Sequence, residues 1–215
     1  MEGKSPTHDE TSLEEVSRST VGHYNSNALS FREGTWDHDV SQNREALLAA
    51  IGQHDAIHIL DFGCGPGRDI VAFQKMGIRV TGLDGSQNFC DMAHEVSGAE
   101  VLHQNFLELE LPEYSFNGIF ANATLFHIPS QELDRVLQEF KRALIPGGIL
   151  FSSNPRGNDE EGWNGDRYGT YYRPETWKRK LTKQGFELVH EYYRPPGLPR
   201  EEQPWFASVW RKGMD

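Results

Sequence analysis

The chain has 215 residues, a length suited to one domain rather than two, and 37% of it is apolar, with 12 Phe, 7 Tyr and 5 Trp to build a core. Its formal charge of −11, with 21 basic residues scattered among 32 acidic ones, counts against a protein that tracks nucleic-acid phosphates and favours a small-molecule partner. No apolar run approaches the roughly 18 residues that cross a bilayer, MEGKSPTHDE lacks a secretory pattern, and Cys64 and Cys90 suggest neither a disulfide framework nor a zinc site, so a cytoplasmic protein without metal is expected.

Residues 1–20 are polar with little periodicity and read as a mobile tail. Residues 21–43 carry Tyr24, Phe31 and Trp36 and read as a lid over whatever the core binds, ending where Ser41 can cap a helix bearing Leu47, Leu48 and Ile51. A regular alternation follows: strand Ile57–Phe62, helix Arg68–Met76, strand Ile78–Leu83, a helix capped by Ser86, strands Glu100–His103 and Phe116–Asn122, a helix from Ser130, and strand Ile149–Ser153. Such βα alternation predicts an α/β three-layer sandwich with a mostly parallel sheet. Residues 154–173 read as a long substrate loop, Pro174 opens a helix closed by Gly185, and Phe186–Tyr193 and Trp205–Arg211 read as an antiparallel pair at the sheet edge.

The strongest local signal is Asp61-Phe62-Gly63-Cys64-Gly65-Pro66-Gly67-Arg68-Asp69, between a strand and a helix. Glycines let the backbone turn sharply and approach a ligand at the C-terminal edge of a parallel sheet. Asp84 ends the next strand, where an acid can hold both hydroxyls of a ribose. The spacing is G-x-G-x-G, and Asp61 and Asp69 flank it; these carboxylates repel a pyrophosphate and attract an ammonium or sulfonium. That favours S-adenosylmethionine (SAM) over NAD. Cys64 reads as a small filler, because methyl transfer from a sulfonium needs no protein nucleophile.

These residues resemble the class I SAM-dependent methyltransferases. ILDFGCGPGRD is similar to the family's first motif, GLDGS to its ribose-binding acid, HQNFLEL to its adenine-contacting segment, FNGIFANATLFHIP to its fourth-strand motif and ALIPGGIL to its turn into the fifth strand. The resemblance, over about Tyr24 to Arg211, implies a Rossmann-like seven-stranded sheet with the last strand antiparallel. It places Gly63 and Gly65 beside the methionine moiety, Asp84 at the ribose, Asn105 and Phe106 at the adenine, and Asn122 near the reacting methyl, with S-adenosylhomocysteine (SAH) as product. Asp61, Arg68, Gly85, Tyr24 and Trp36 complete the expected cofactor set. Phe106 can equally be core, and Asn122 a strand-end hydrogen bonder.

For the acceptor, His127 past the fourth strand is a candidate general base or a structural hydrogen bonder, with His38 and Asp39 a second acid/base pair. Asn154, Arg156, Arg167, Tyr168, Tyr172 and Arg200 are expected to bind substrate, the arginines pairing bidentately with a carboxylate and the tyrosines walling a flat ring; an ordinary loop held by Glu160 and Glu161 is the alternative. TWDHDVSQN, FANATLFHIPSQEL and SSNPRGNDEEGWNG are also similar to the methyltransferases that complete ovothiol synthesis, which implies N-methylation of the imidazole of 5-thiohistidine. Another small amine, thiol or carboxylate-bearing metabolite, or a non-catalytic SAM-binding regulatory module, is the competing expectation.

Overall fold

The computed structural model describes residues 12–214. Helices α1 (Leu13–Ser26), α2 (Ala28–Thr35) and α3 (Ser41–Ile51) precede strand β1 (His58–Phe62), followed by α4 (Arg68–Lys75), β2 (Arg79–Asp84), α5 (Gln87–Ser97), β3 (Val101–His103) and β4 (Phe116–Asn122). Then come α6 (Leu133–Ala143), β5 (Leu144–Pro155), β6 (Glu160–Asn164), β7 (Arg167–Tyr171), α7 (Pro174–Lys183), β8 (Phe186–Arg194) and β9 (Trp205–Lys212).

Seven strands form one sheet in the order β3-β2-β1-β4-β5-β9-β8. All pairs from β3 to β5 are parallel, whereas β9 runs antiparallel to both β5 and β8. The expected seven-stranded sheet with a reversed last strand is therefore present, with β9 inside the sheet and β8 at its edge. Alternation along β1 assigns the layers: Ile59 packs with Leu47 and Ile51 of α3 and Ile70 and Phe73 of α4, while Leu60 and Phe62 pack with Leu137 and Phe140 of α6 and Trp177 of α7. The α6 stripe Leu133, Val136, Leu137 and Phe140 is wholly buried.

Two expectations are corrected. The first concerns the tail: residues 1–11 lie outside the described residues, but Leu13–Ser26 is helical. The Ser12 hydroxyl accepts the Glu15 N–H at 3.1 Å, Glu14 and Glu15 sit in the first turn, and Val16 and Thr20 are buried. Its inner face is built largely from hydroxyls, which hides it from an apolar-periodicity reading. The second concerns the expected loop: most of 154–173 is a two-stranded hairpin, β6–β7, turning at Gly165-Asp166, where Gly165 takes the positive φ (+61°) that the first position of a two-residue hairpin turn demands. A smaller difference concerns Ser41, which is the first residue of α3; the Asp39 carboxylate caps that end by accepting the Ser41 N–H at 2.9 Å.

Candidate active site

The C-terminal edge of the parallel strands opens into a cavity of about 690 Å³, within the range of small-molecule sites. It lies where the chain's order reverses between β1 and β4, and it has two ends.

At one end the loop Gly63–Gly67 turns through three positive-φ glycines. Gly67 is compelled by packing as well, since a Cβ there would lie 2.8 Å from the Cα of Ala93 on α5. Gly63 backs onto Thr124, which a Cβ would strike. Asp84 is buried at the end of β2, its two oxygens accepting the N–H groups of Gly65 (3.0 Å) and Ser86 (2.9 Å). Burial raises its pKa to about 6 despite these bonds. Asp61 is buried with one carboxylate oxygen unpartnered, and burial, then the nearby Asp69, pushes its pKa well up. Asp69 is paired instead, with Arg44 (2.5 Å) and Arg68 (2.6 Å), and Arg68 also donates to the Thr35 carbonyl at 2.9 Å, tying α4 to α2. Burial pushes the Cys64 thiol up, keeping it protonated and inert.

The two residues expected beside the adenine also reach the wall. Phe106 lines the cavity and packs on Phe62 at 4.4 Å, so it is core and wall at once. Asn105 lines it too, its amide oxygen accepting from Ser17 of α1 (2.9 Å) and from the Leu107 N–H (3.0 Å). Asn122 accepts from Asn43 at 2.8 Å, and Asn43 accepts from the Tyr192 hydroxyl at 2.8 Å. The next residue, Ala123, holds a left-handed φ of +61° on the cavity wall, a conformation that costs a non-glycine residue on the order of 1–3 kcal/mol and tends to cluster at functional sites.

Tyr24 of α1 bridges to the other side, its ring against Phe31 and Phe89 and its hydroxyl on His127; with it stand Phe126 and His127 after β4, Arg167 of β7, Arg194 of β8 and Trp205 of β9. His127 has both ring nitrogens engaged: Nε2 lies 2.8 Å from the Tyr24 hydroxyl and Nδ1 2.7 Å from the Tyr168 carbonyl. Burial depresses its pKa to about 4. Burial also raises the Tyr24 pKa, with the Arg167 cation pulling the other way.

Of the expected residues, Asp61, Gly63, Gly65, Arg68, Asp84, Gly85, Asn105, Phe106, Asn122, Tyr24, His127, His38, Asp39 and Arg167 all line this one cavity. Six others lie off its wall. Trp36 is half-buried under the Arg32 guanidinium at 5.0 Å, and Asn154 is turned inward with both amide atoms unpartnered. Arg156 and Arg200 both stack on the ring of Tyr193 instead of turning into the cavity. The Tyr168 ring packs edge-on against Trp163 across the hairpin, leaving only its carbonyl to the site, and Tyr172 packs beside Trp177 under Lys180. The Asp39 carboxylate is spent on capping α3, which lowers its pKa and makes it a poor base. Arg194, Phe126 and Trp205 were missed; Arg194 donates to the Asp39 carbonyl at 2.6 Å and has a buried, unpartnered Nε. Their only sequence signal is position at the ends of strands on the ligand-binding edge. Among the described residues no cluster of His, Cys, Asp or Glu is placed to hold a metal ion.

The geometry agrees with the comparisons. Residues 60–152 match the family model for a methyltransferase domain. That segment resembles a methyltransferase domain. The chain is 33% identical to trans-aconitate 2-methyltransferase of Azoarcus sp. (strain BH72), over 53% of this chain and 45% of that protein. It is 31% identical to the sterol 24-C-methyltransferase ERG6B of Gibberella zeae, over 54% of this chain and 32% of that protein, so it spans a third to a half of the length of these relatives. In fold it is similar to the crystal structure of Burkholderia thailandensis 1,6-didemethyltoxoflavin-N1-methyltransferase, which holds 1,6-didemethyltoxoflavin and SAH, at a TM-score of 0.79 and 20% identity over 98% of this chain and 93% of the other. The [4+2]-cyclase SpnF shares the fold at a TM-score of 0.72 and 18% identity, over 93% of this chain and 97% of that one. The matched segment supplies the glycine loop, Asp84, Asn105 and His127. Tyr24, Arg167, Arg194 and Trp205 come from outside it, so the two ends of the cavity differ in how far the match reaches.

Proposed function

We propose that this protein binds SAM in the acid-lined end of the cavity and transfers its methyl group to a small acceptor held at the aromatic, arginine-bearing end. When bound, SAM supplies an electrophilic methyl on a sulfonium. The residues present fit it. Asp61 offers a buried carboxylate oxygen with no partner, matched to a cationic amino acid, and Asp84 offers two oxygens to ribose hydroxyls. Open space lies above Gly65, where a Cβ would meet nothing nearer than the Phe31 ring at 3.9 Å. The nearby arginines Arg44 and Arg68 are tied to Asp69, which leaves the loop without free cations for a pyrophosphate. The observation that carries the reading is this continuity: one cavity, acid-lined at the glycine loop and bearing unpaired cations at its far end.

The acceptor that suits the far end is a flat ring bearing a carboxylate, and we favour the imidazole of 5-thiohistidine, methylated on nitrogen. Phe126 and Trp205, 6.4 Å apart and edge-to-face, offer walls for a ring. Arg167 and Arg194 have no carboxylate within ion-pair distance among the described residues, leaving either able to meet an acid group. Methyl transfer to such a ring asks chiefly for alignment and exclusion of water. A screen of 5-thiohistidine, other imidazoles, amines and thiols with SAM, read as a 14 Da mass gain (about one CH₂), tests the proposal, alongside titrations with SAM and NAD. Product with an imidazole amino acid supports it in full, product only with other classes moves the acceptor, and binding of NAD in preference to SAM overturns it.

A further inference from the structure

Resting on that reading, we propose that Tyr24 takes the acceptor's proton and passes its own to His127, a relay suited to an acceptor ring nitrogen that carries or acquires an N–H. Hydrogen-bond direction carries the argument. The Tyr168 carbonyl can only accept, so the His127 Nδ1 at 2.7 Å must donate, and in the neutral ring Nε2 is then an acceptor. The hydroxyl 2.8 Å from Nε2 must therefore donate to it, which leaves the Tyr24 oxygen with lone pairs facing away from the imidazole. One meets the Arg167 guanidinium at 3.4 Å; the other is free for the cavity that Tyr24 lines. His127 itself has no unused nitrogen, so any proton it takes must come through the phenol.

The balance closes. The acceptor nitrogen's lone pair forms the bond to the methyl as the methyl–sulfur bond breaks, and the cation so formed loses its N–H proton to the Tyr24 oxygen. The phenol's own proton moves to His127 Nε2, giving an imidazolium that still donates from Nδ1 to Tyr168, and this proton later returns to solvent. Arg167 beside the phenol steadies any negative charge on its oxygen during the exchange.

The surroundings keep the pair neutral beforehand. Facing it are Arg167 and Tyr171 from β7, His23 from α1 and Asp84 from the end of β2, with His23 itself 3.8 Å from Asp166. Burial holds His127 down to about 4 and raises Tyr24. A base that weak selects its partner: deprotonating an aliphatic ammonium near 10.4 runs uphill by about six powers of ten, whereas a ring nitrogen near 6.5 asks about two to three.

Two measurements test the relay. Nitrogen-15 NMR of the wild-type protein at neutral pH should show His127 neutral and protonated at Nδ1, with Nε2 losing its hydrogen-bond shift in Tyr24→Phe; an Nε2-protonated or cationic ring overturns the proposal. In kinetics, Tyr24→Phe should lower kcat for a ring-nitrogen acceptor by about 10²-fold, the lower scale of general-base catalysis, with acceptor KM and SAH affinity each within about threefold. Undiminished kcat in Tyr24→Phe overturns the relay and leaves the methyltransferase reading standing. Wild-type protein that binds no SAH overturns that reading, and the relay falls with it.

Discussion

Asp84 does two jobs with one carboxylate. Its oxygens order the glycine loop and the start of α5 through Gly65 and Ser86, and on the proposed assignment they also accept the ribose hydroxyls. Asp84→Ala should weaken SAH binding by about 1.5–3 kcal/mol in calorimetry, the scale of hydrogen bonds to a charged group. The pH dependence follows in sign: hydroxyl donors favour the ionised form, and the free protein's Asp84 titrates at about 6. Affinity should be flat above about pH 7 and fall, by at most about tenfold per pH unit, as pH drops below 6. Arginine makes the other case. Arg167 lines the cavity while Arg156 lies on Tyr193, so Arg167→Lys should raise KM for a carboxylate-bearing acceptor about tenfold and Arg156→Lys should leave it unchanged. Both arginines are plain in the sequence. Which of them turns inward is set by β6–β7 pairing and by the Tyr193 ring, neither of which is a property of the residue itself. The glycine loop was legible because its backbone conformation demands glycine and its acids are neighbours in sequence.

Helix α1 shows why the N-terminal segment was only half legible. The sequence pointed to a lid over 21–43, and Tyr24, Phe31, His38 and Asp39 do border the cavity, but the covering element begins at Leu13. It is fastened by polar bonds: Ser17 to Asn105 (2.9 Å), Ser19 to the Asp166 carbonyl (3.0 Å), Thr20 from the Tyr168 N–H (2.9 Å) and the Asn25 amide oxygen from the Ser86 hydroxyl (2.9 Å). Each such bond contributes about 1 kcal/mol net, so this helix is easier to detach than one seated on apolar contacts. Backbone amides of α1 and α2 should gain protection in hydrogen exchange when SAH binds; equal exchange with and without ligand would sink the lid. The hairpin it grips was readable in principle from Asn164-Gly165 between aromatic residues, but its strands are short and β6 is mostly exposed, so alternation gave little signal.

At the scale of the whole molecule the βα order sufficed to read the sheet from β1 to β5, because β1, β2, β4 and β5 carry buried runs and a helix follows each of β1, β2 and β4. The far end of the sheet was read as an edge pair, and its internal order, with β9 between β5 and β8, was not evident because neighbouring strands in sequence need not be neighbours to the core. This arrangement makes β8 dependent on β9: among the described residues it pairs with no other strand. A chain stopped at Pro204 should therefore lose two strands, not one, seen as an excess loss of β signal in circular dichroism and rapid proteolysis near Leu188 and Val189. The same dependence applies during synthesis. On the ribosome β8 emerges before the strand that docks it, so Leu188 and Val189, partly exposed even in the finished fold, wait in solvent until Trp205–Lys212 has cleared the exit tunnel. That interval is when a chaperone or a neighbouring nascent chain has access to this unpaired strand.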